Sequence, residues 1–182
     1  MPKRKAQVQN LNSLLGRQRK AATVVQDTGE IQLYFDSSKI LKVLEEKIKK
    51  ATYVVGCVAW LTNKKILGAL RKTRGVQIIV TNDSILRRMK PYYSNLPVYN
   101  NASICVVGSG RGKMKSLMHH KFLIGLNERH QPIWTCNGSF NITESAKTNL
   151  ENITFYSNES IGNAFLSEFK GVYKISKKLK LS

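Results

Sequence analysis

Tyr53-Val54-Val55-Gly56-Cys57-Val58-Ala59-Trp60 is a continuous apolar run of strand length, and what flanks it decides the fold. A strand buried on both faces reads as an unbroken apolar run, whereas a half-buried strand alternates. Before the run, Ile31-Gln32-Leu33-Tyr34-Phe35 alternates like a strand, and Asp36 and Ser37 are helix-capping residues. Ile40, Leu41, Leu44 and Ile48 then recur at helical spacing with Lys and Glu between them. After the run, Asn63 can cap a short helix with Ile66, Leu67 and Leu70 on one face, and Val76 to Val80 reads as a third strand. Alternation of this kind predicts an α/β domain whose central sheet is mixed, largely parallel and flanked by helices.

Between Asn82 and Asn101 the pattern weakens into a segment that mixes Arg87, Arg88 and Lys90 with Pro91, Tyr92 and Tyr93. Cations meet phosphates and rings stack on bases, so the segment suits a nucleic-acid surface. An irregular connection with its tyrosines packed on the core is the alternative. Ser103 to Val107 is a further strand, followed by the basic loop Gly108-Ser109-Gly110-Arg111-Gly112-Lys113-Met114-Lys115. The nucleotide-binding pattern GxxxxGK[ST] would need Gly at position 107 and Ser or Thr at position 114, where Val107 and Met114 stand. The loop therefore reads as a basic flap carrying Arg111, Lys113 and Lys115, with a plain linker as the alternative. Near the end, Ile161, Ala164, Phe165 and Phe169 fit one face of a helix that completes the core.

The 182 residues suffice for one globular domain. Residues 1–24 form a basic, polar extension and residues 25–182 the domain. The extension reads as a tail, as an arm that binds nucleic acid or docks on a protein, or as a mitochondrial presequence. The chain carries 30 Lys+Arg against 11 Asp+Glu, a formal charge of +19, which is self-repelling unless a polyanion offsets it. Nucleic acid is the first such partner, through counterion release from neutralised phosphates, and an anionic membrane surface is the second. Cys57, Cys105 and Cys136 form an odd set without CxxC spacing, which fits a reducing, cytoplasmic setting. No secretory signal is evident, and no apolar run approaches the roughly 18 residues needed to span a bilayer.

Chemistry concentrates in His119-His120-Lys121-Phe122-Leu123-Ile124-Gly125 and in Gly138-Ser139-Phe140-Asn141, which follows a strand-like Ile133 to Cys136. In extended backbone His119 and Lys121 share a face while His120 takes the other. Ser139 and Asn141 repeat that relation, adding a hydroxyl and a carboxamide able to bond phosphate oxygens. A zinc site from His119, His120, His130 and Cys136 is the competing use of these side chains. Adjacent strand histidines face opposite ways, however, and no metal-ligand spacing is recognisable.

His119-x-Lys121 followed by Gly138-Ser139-x-Asn141 resembles the HxKxxxxD and GSxN signature of the phospholipase D superfamily. Thr143, Asn149, Glu151 and Asn152 look like the stretch that follows it in the small single-motif nucleases of that group, and the likeness covers about residues 30 to 175. The family's Asp would fall at Leu126, and no acid stands there. The resemblance implies a phospholipase D-like sandwich, with His119, Lys121, Ser139, Asn141 and Glu151 as the catalytic set. It also implies an imidazole attacking phosphorus, a phosphohistidine that water hydrolyses, and no metal or other cofactor. Two histidines are needed and the chain holds one motif, so the resemblance implies a two-fold homodimer. Glu151 is expected to accept from the imidazole. The implied activity is that of an endonuclease on DNA or RNA, DNA favoured. Hydrolysis of phospholipids such as cardiolipin is one alternative, and a nucleic-acid-binding subunit of a larger assembly is the other.

Overall fold

The computed structural model describes residues 30–108 and 117–181. The extension at residues 1–24, the boundary at residue 25 and the flap residues Arg111, Lys113 and Lys115 lie outside the described residues.

The elements run β1 (Ile31–Tyr34), α1 (Ser37–Lys49), β2 (Tyr53–Val58), α2 (Lys64–Leu70), β3 (Gly75–Thr81), α3 (Ile85–Tyr93), β4 (Ile104–Val107), β5 (Lys121–Leu126), β6 (Pro132–Gly138), a 3-10 turn (Ser145–Thr148), β7 (Ile153–Tyr156), α4 (Glu159–Ile175) and β8 (Lys177–Lys178). The strands form one mixed sheet in the order β1-β7-β6-β5-β2-β3-β4-β8. Of the pairings between these strands, β2–β3 and β3–β4 are parallel and the others are antiparallel. The largely parallel balance expected from strand–helix alternation is thereby corrected. Helices α2 and α3 connect the parallel strands β2, β3 and β4, whereas β5, β6 and β7 follow one another as antiparallel neighbours through connections without an α-helix, before α4 carries the chain across to β8 beside β4. One of these connections is the turn between β5 and β6, where the Asn127 carboxamide oxygen accepts the N–H groups of Arg129 and Gln131 at 2.9 and 3.0 Å.

Capping residues start the helices where the sequence places them. The Asp36 carboxylate accepts from Ser38 N–H at 2.9 Å, and the Asn63 side chain accepts from Ile66 N–H at 3.1 Å. Ile40, Leu44 and Ile48 of α1 and Leu67 and Leu70 of α2 bury against Val54, Ile78 and Leu123 on one face of the sheet. Phe169 and Val172 of α4 cover Val55, Cys57, Ile79, Phe122, Ile124 and Leu126 on the other. Burial pushes the thiols of Cys57 and Cys136 up to about 12, so they stay protonated.

The segment after Asn82 is more regular than its composition suggests, for it holds α3 with Leu86, Met89 and Tyr93 buried at helical spacing. Three cations and Pro91 in nine residues mask that periodicity. Tyr93 is core, its hydroxyl donating to Leu61 O at 2.7 Å. Leu126 is also core, 1 % exposed in the cluster beneath α4.

Candidate active site

Antiparallel pairing brings three strand ends together. β5 starts at Lys121 and pairs Phe122 with Asn137, so His119 and Lys121 lie beside the end of β6; Gly138 of β6 in turn faces Ile153 of β7. Ser139 and Asn141 just after β6, and Glu151 just before β7, therefore arrive at the same edge. From the other side Val58 of β2 pairs with Lys121, and Ala59 N–H donates to His120 O at 2.9 Å. The N–H groups of Thr62 and Asn63 both donate to Ile142 O, at 2.8 and 3.0 Å, which fastens the segment after β2 to the one after β6.

His119 and Lys121 share a face. The Lys121 ammonium lies 3.1 Å from His119 Nε2 and donates to His119 O at 3.0 Å. An ammonium only donates, so Nε2 carries the lone pair in this contact and the ring proton of the neutral imidazole sits on Nδ1. His120 points to the opposite face, where Nε2 stands 3.2 Å from Glu168 of α4. Burial pulls the Lys121 ammonium below the ordinary lysine value of 10.5, and the negative charge of Glu151 partly opposes that shift.

Ser139 is held by the strand end opposite it. Its N–H donates to the Asn152 carbonyl and carboxamide oxygens at 3.1 Å each, and its hydroxyl accepts from Asn152 N–H at 3.1 Å. That same hydroxyl donates to the Glu151 carboxylate. The approach requires glycine at 138, since a Cβ there would lie 2.2 Å from Asn152 O. Phe140 turns into the core, 2 % exposed. The Asn141 carboxamide oxygen is buried and finds no partner among the described residues.

One expectation is revised. Glu151, expected to accept from the imidazole, accepts instead from Ser139, because the β6–β7 register sets Glu151 and Asn152 against that residue. Position 126 is not part of the site: about 16 Å along the strand from Lys121, it points to the opposite face. An acid there would enter the apolar layer under α4.

Of the cations assigned to nucleic acid, Arg87 and Arg88 are exposed on α3 and, with Asp83 and Ser84, line a cavity of about 450 Å³. Lys90 is half-buried. A second cavity of about 530 Å³ opens beside His119 and His120, bordered by Val107, Leu117, Met118, Val172 and Ile175. No three His, Cys, Asp or Glu side chains gather into a metal-holding group among the described residues.

Fold and site together define a phosphodiesterase architecture, and the chain belongs to the phospholipase D superfamily through the family described as "Cardiolipin synthase, PLD-like domain", which matches residues 31–173. A relative in Acanthamoeba polyphaga mimivirus, described as an uncharacterized protein, is 29 % identical over 188 aligned residues covering 80 % of this chain. The chain spans 66 % of that relative's length. Among solved structures, NucT from Helicobacter pylori superposes with a TM-score of 0.67 at 16 % identity, covering 82 % of this chain and 99 % of its own. Nuc from Salmonella typhimurium, described as a phospholipase D family member, gives 0.59 at 16 % identity, covering 82 % and 97 % respectively.

Sequence reasoning missed Trp60 and Asp83. The rings of Trp60 and His119 lie 5.6 Å apart at 79°, and the Trp60 indole N–H donates to Asp83 Oδ2 at 2.6 Å. In sequence Trp60 only closes an apolar run, and no local spacing links it to His119.

Proposed function

We propose that the protein is a metal-independent nuclease that hydrolyses DNA or RNA phosphodiesters, DNA favoured, in an active site shared by two copies of the chain. The observation that carries this reading is the convergence of His119, Lys121, Ser139 and Asn141 on one sheet edge of a chain with formal charge +19. In the first step His119 Nε2 attacks phosphorus, the bond from phosphorus to the leaving alkoxide breaks, and the second subunit's imidazole donates the proton that alkoxide needs. In the second step that imidazole takes a proton from water, the oxygen displaces Nε2, and a phosphate monoester leaves. Lys121, Ser139 and Asn141 stabilise charge on the non-bridging oxygens. Residues 1–24 then form a basic extension to the catalytic domain, and the compartment is intracellular.

Phospholipid hydrolysis is the second reading, favoured by the apolar border of the cavity beside His119, where Leu117 and Ile175 are exposed. No helix among the described residues is long and apolar enough to cross a membrane. Acid-free quenching of a reaction on internally phosphate-labelled DNA should leave label on the denatured protein, and His119→Ala should leave none. Label captured only from anionic vesicles would transfer the assignment to lipids. Binding to DNA without label or cleavage would reassign the chain to a binding subunit.

A further inference from the structure

Trp60 is the first aromatic surface beside the nucleophile, and three independent constraints fix it there. Continuing the β2–β5 register past Val58 and Lys121 sets Trp60 opposite His119 on the face those two residues share. The bridge between Leu61 and Ile142 sets it beside Asn141 on its other flank. Its indole N–H donates to Asp83 Oδ2 at 2.6 Å, while Asp83 Oδ1 accepts from Ile85 N–H at 2.8 Å at the start of α3. One carboxylate thus locks both the ring and the helix carrying exposed Arg87 and Arg88.

A half-buried tryptophan held this tightly is a large, rigid surface, and its polar edge is already satisfied within the protein. Beyond it lies the cavity lined by Asp83, Ser84, Arg87 and Arg88, whose acid is occupied by Trp60 and Ile85 and whose arginines form no ion pair among the described residues. An aromatic platform next to the reacting phosphate, continued by cations, matches the alternating stacked bases and charged phosphates of a single strand.

We propose that Trp60 is a substrate-binding residue on which a base flanking the scissile phosphate stacks, with Arg87 and Arg88 receiving the backbone phosphates beyond it. This rests on the nuclease reading and names its preferred substrate form: a single strand whose flanking base is free to leave its partner. Stacking is worth about 1–3 kcal/mol per base, so its loss weakens binding by roughly 5- to 100-fold.

The test uses full-length His119→Gln protein, which stops turnover and keeps a polar side chain beside the ring, titrated with a thymidine octamer and with an octamer of abasic sugars. Thymidine is expected to quench tryptophan emission and the abasic strand to leave it unchanged. Trp60→Phe should remove the quench, because the remaining Trp134 is only 3 % exposed, yet hold affinity within a few-fold. Trp60→Leu should weaken thymidine binding roughly 5- to 100-fold and abasic binding hardly at all. Equal quenching by both strands, or unchanged thymidine affinity in Trp60→Leu, overturns the proposal. The readout needs no catalysis: a wild-type protein that cuts DNA while Trp60→Leu binds normally fails this inference alone, and a quench without cleavage fails only the nuclease reading.

Discussion

Lys121 is a cation that its surroundings pull two ways. Burial lowers its pKa from 10.5 and Glu151 raises it, with burial the larger influence. A lysine whose folded value lies below its unfolded one binds fewer protons when folded, so its contribution makes stability rise with pH between the folded value and 10.5. The ammonium is also the form that stabilises phosphate charge, so cleavage should fall on an alkaline limb below pH 10.5. Glu151→Gln removes the raising influence and should move that limb further down; a rate–pH profile of the two proteins checks both the position and the direction. Leu126 poses the opposite problem, an apolar side chain where the signature has an acid. Leu126→Asp should cost about 3–5 kcal/mol of unfolding free energy by urea titration, since it buries an unpaired carboxylate. It should not raise the cleavage rate. That His119 and Lys121 share a face was legible, because each two-residue step along a strand returns to the same face. The Glu151 contact was not, because it depends on the register of two strands.

At the scale of elements, the site is a junction of strand ends, and Gly138 is where the junction is tightest. Gly138→Ala should displace Ser139 from Asn152 and cut the rate by about ten-fold or more while the fold persists, read as kcat beside an unchanged far-ultraviolet circular dichroism spectrum. The early elements were legible: Ile40, Leu44 and Ile48 repeat at helical spacing, and Asp36 and Asn63 cap as their side chains allow. α3 was not, because Arg87, Arg88, Lys90 and Pro91 dilute a periodicity that Leu86, Met89 and Tyr93 still obey. Strand direction does not follow from helical spacing alone. Crossovers leave long helical sequences that imply parallel neighbours, whereas the short turn Asn127–Gln131 implies an antiparallel one.

For the whole molecule, charge sets the behaviour. Binding to DNA should weaken steeply with salt, log K falling linearly with log salt concentration, and Arg87→Ala with Arg88→Ala should reduce that slope by about 2 if each meets one phosphate. Fluorescence anisotropy at several salt concentrations measures this; an unchanged slope would remove α3 from the DNA path. The positive balance was plain in the sequence, but where the charge acts was only partly so, since it needed Asp83 to join α3 to Trp60 and His119.

Catalysis by imidazole without metal is tested by cleavage in chelator. Supercoiled plasmid, single-stranded DNA and single-stranded RNA are incubated in excess EDTA at low salt with wild type and with His119→Ala. Wild type is expected to cut, DNA in preference to RNA, and His119→Ala is not. Equal cutting by both proteins, or none by either while both bind, would contradict it.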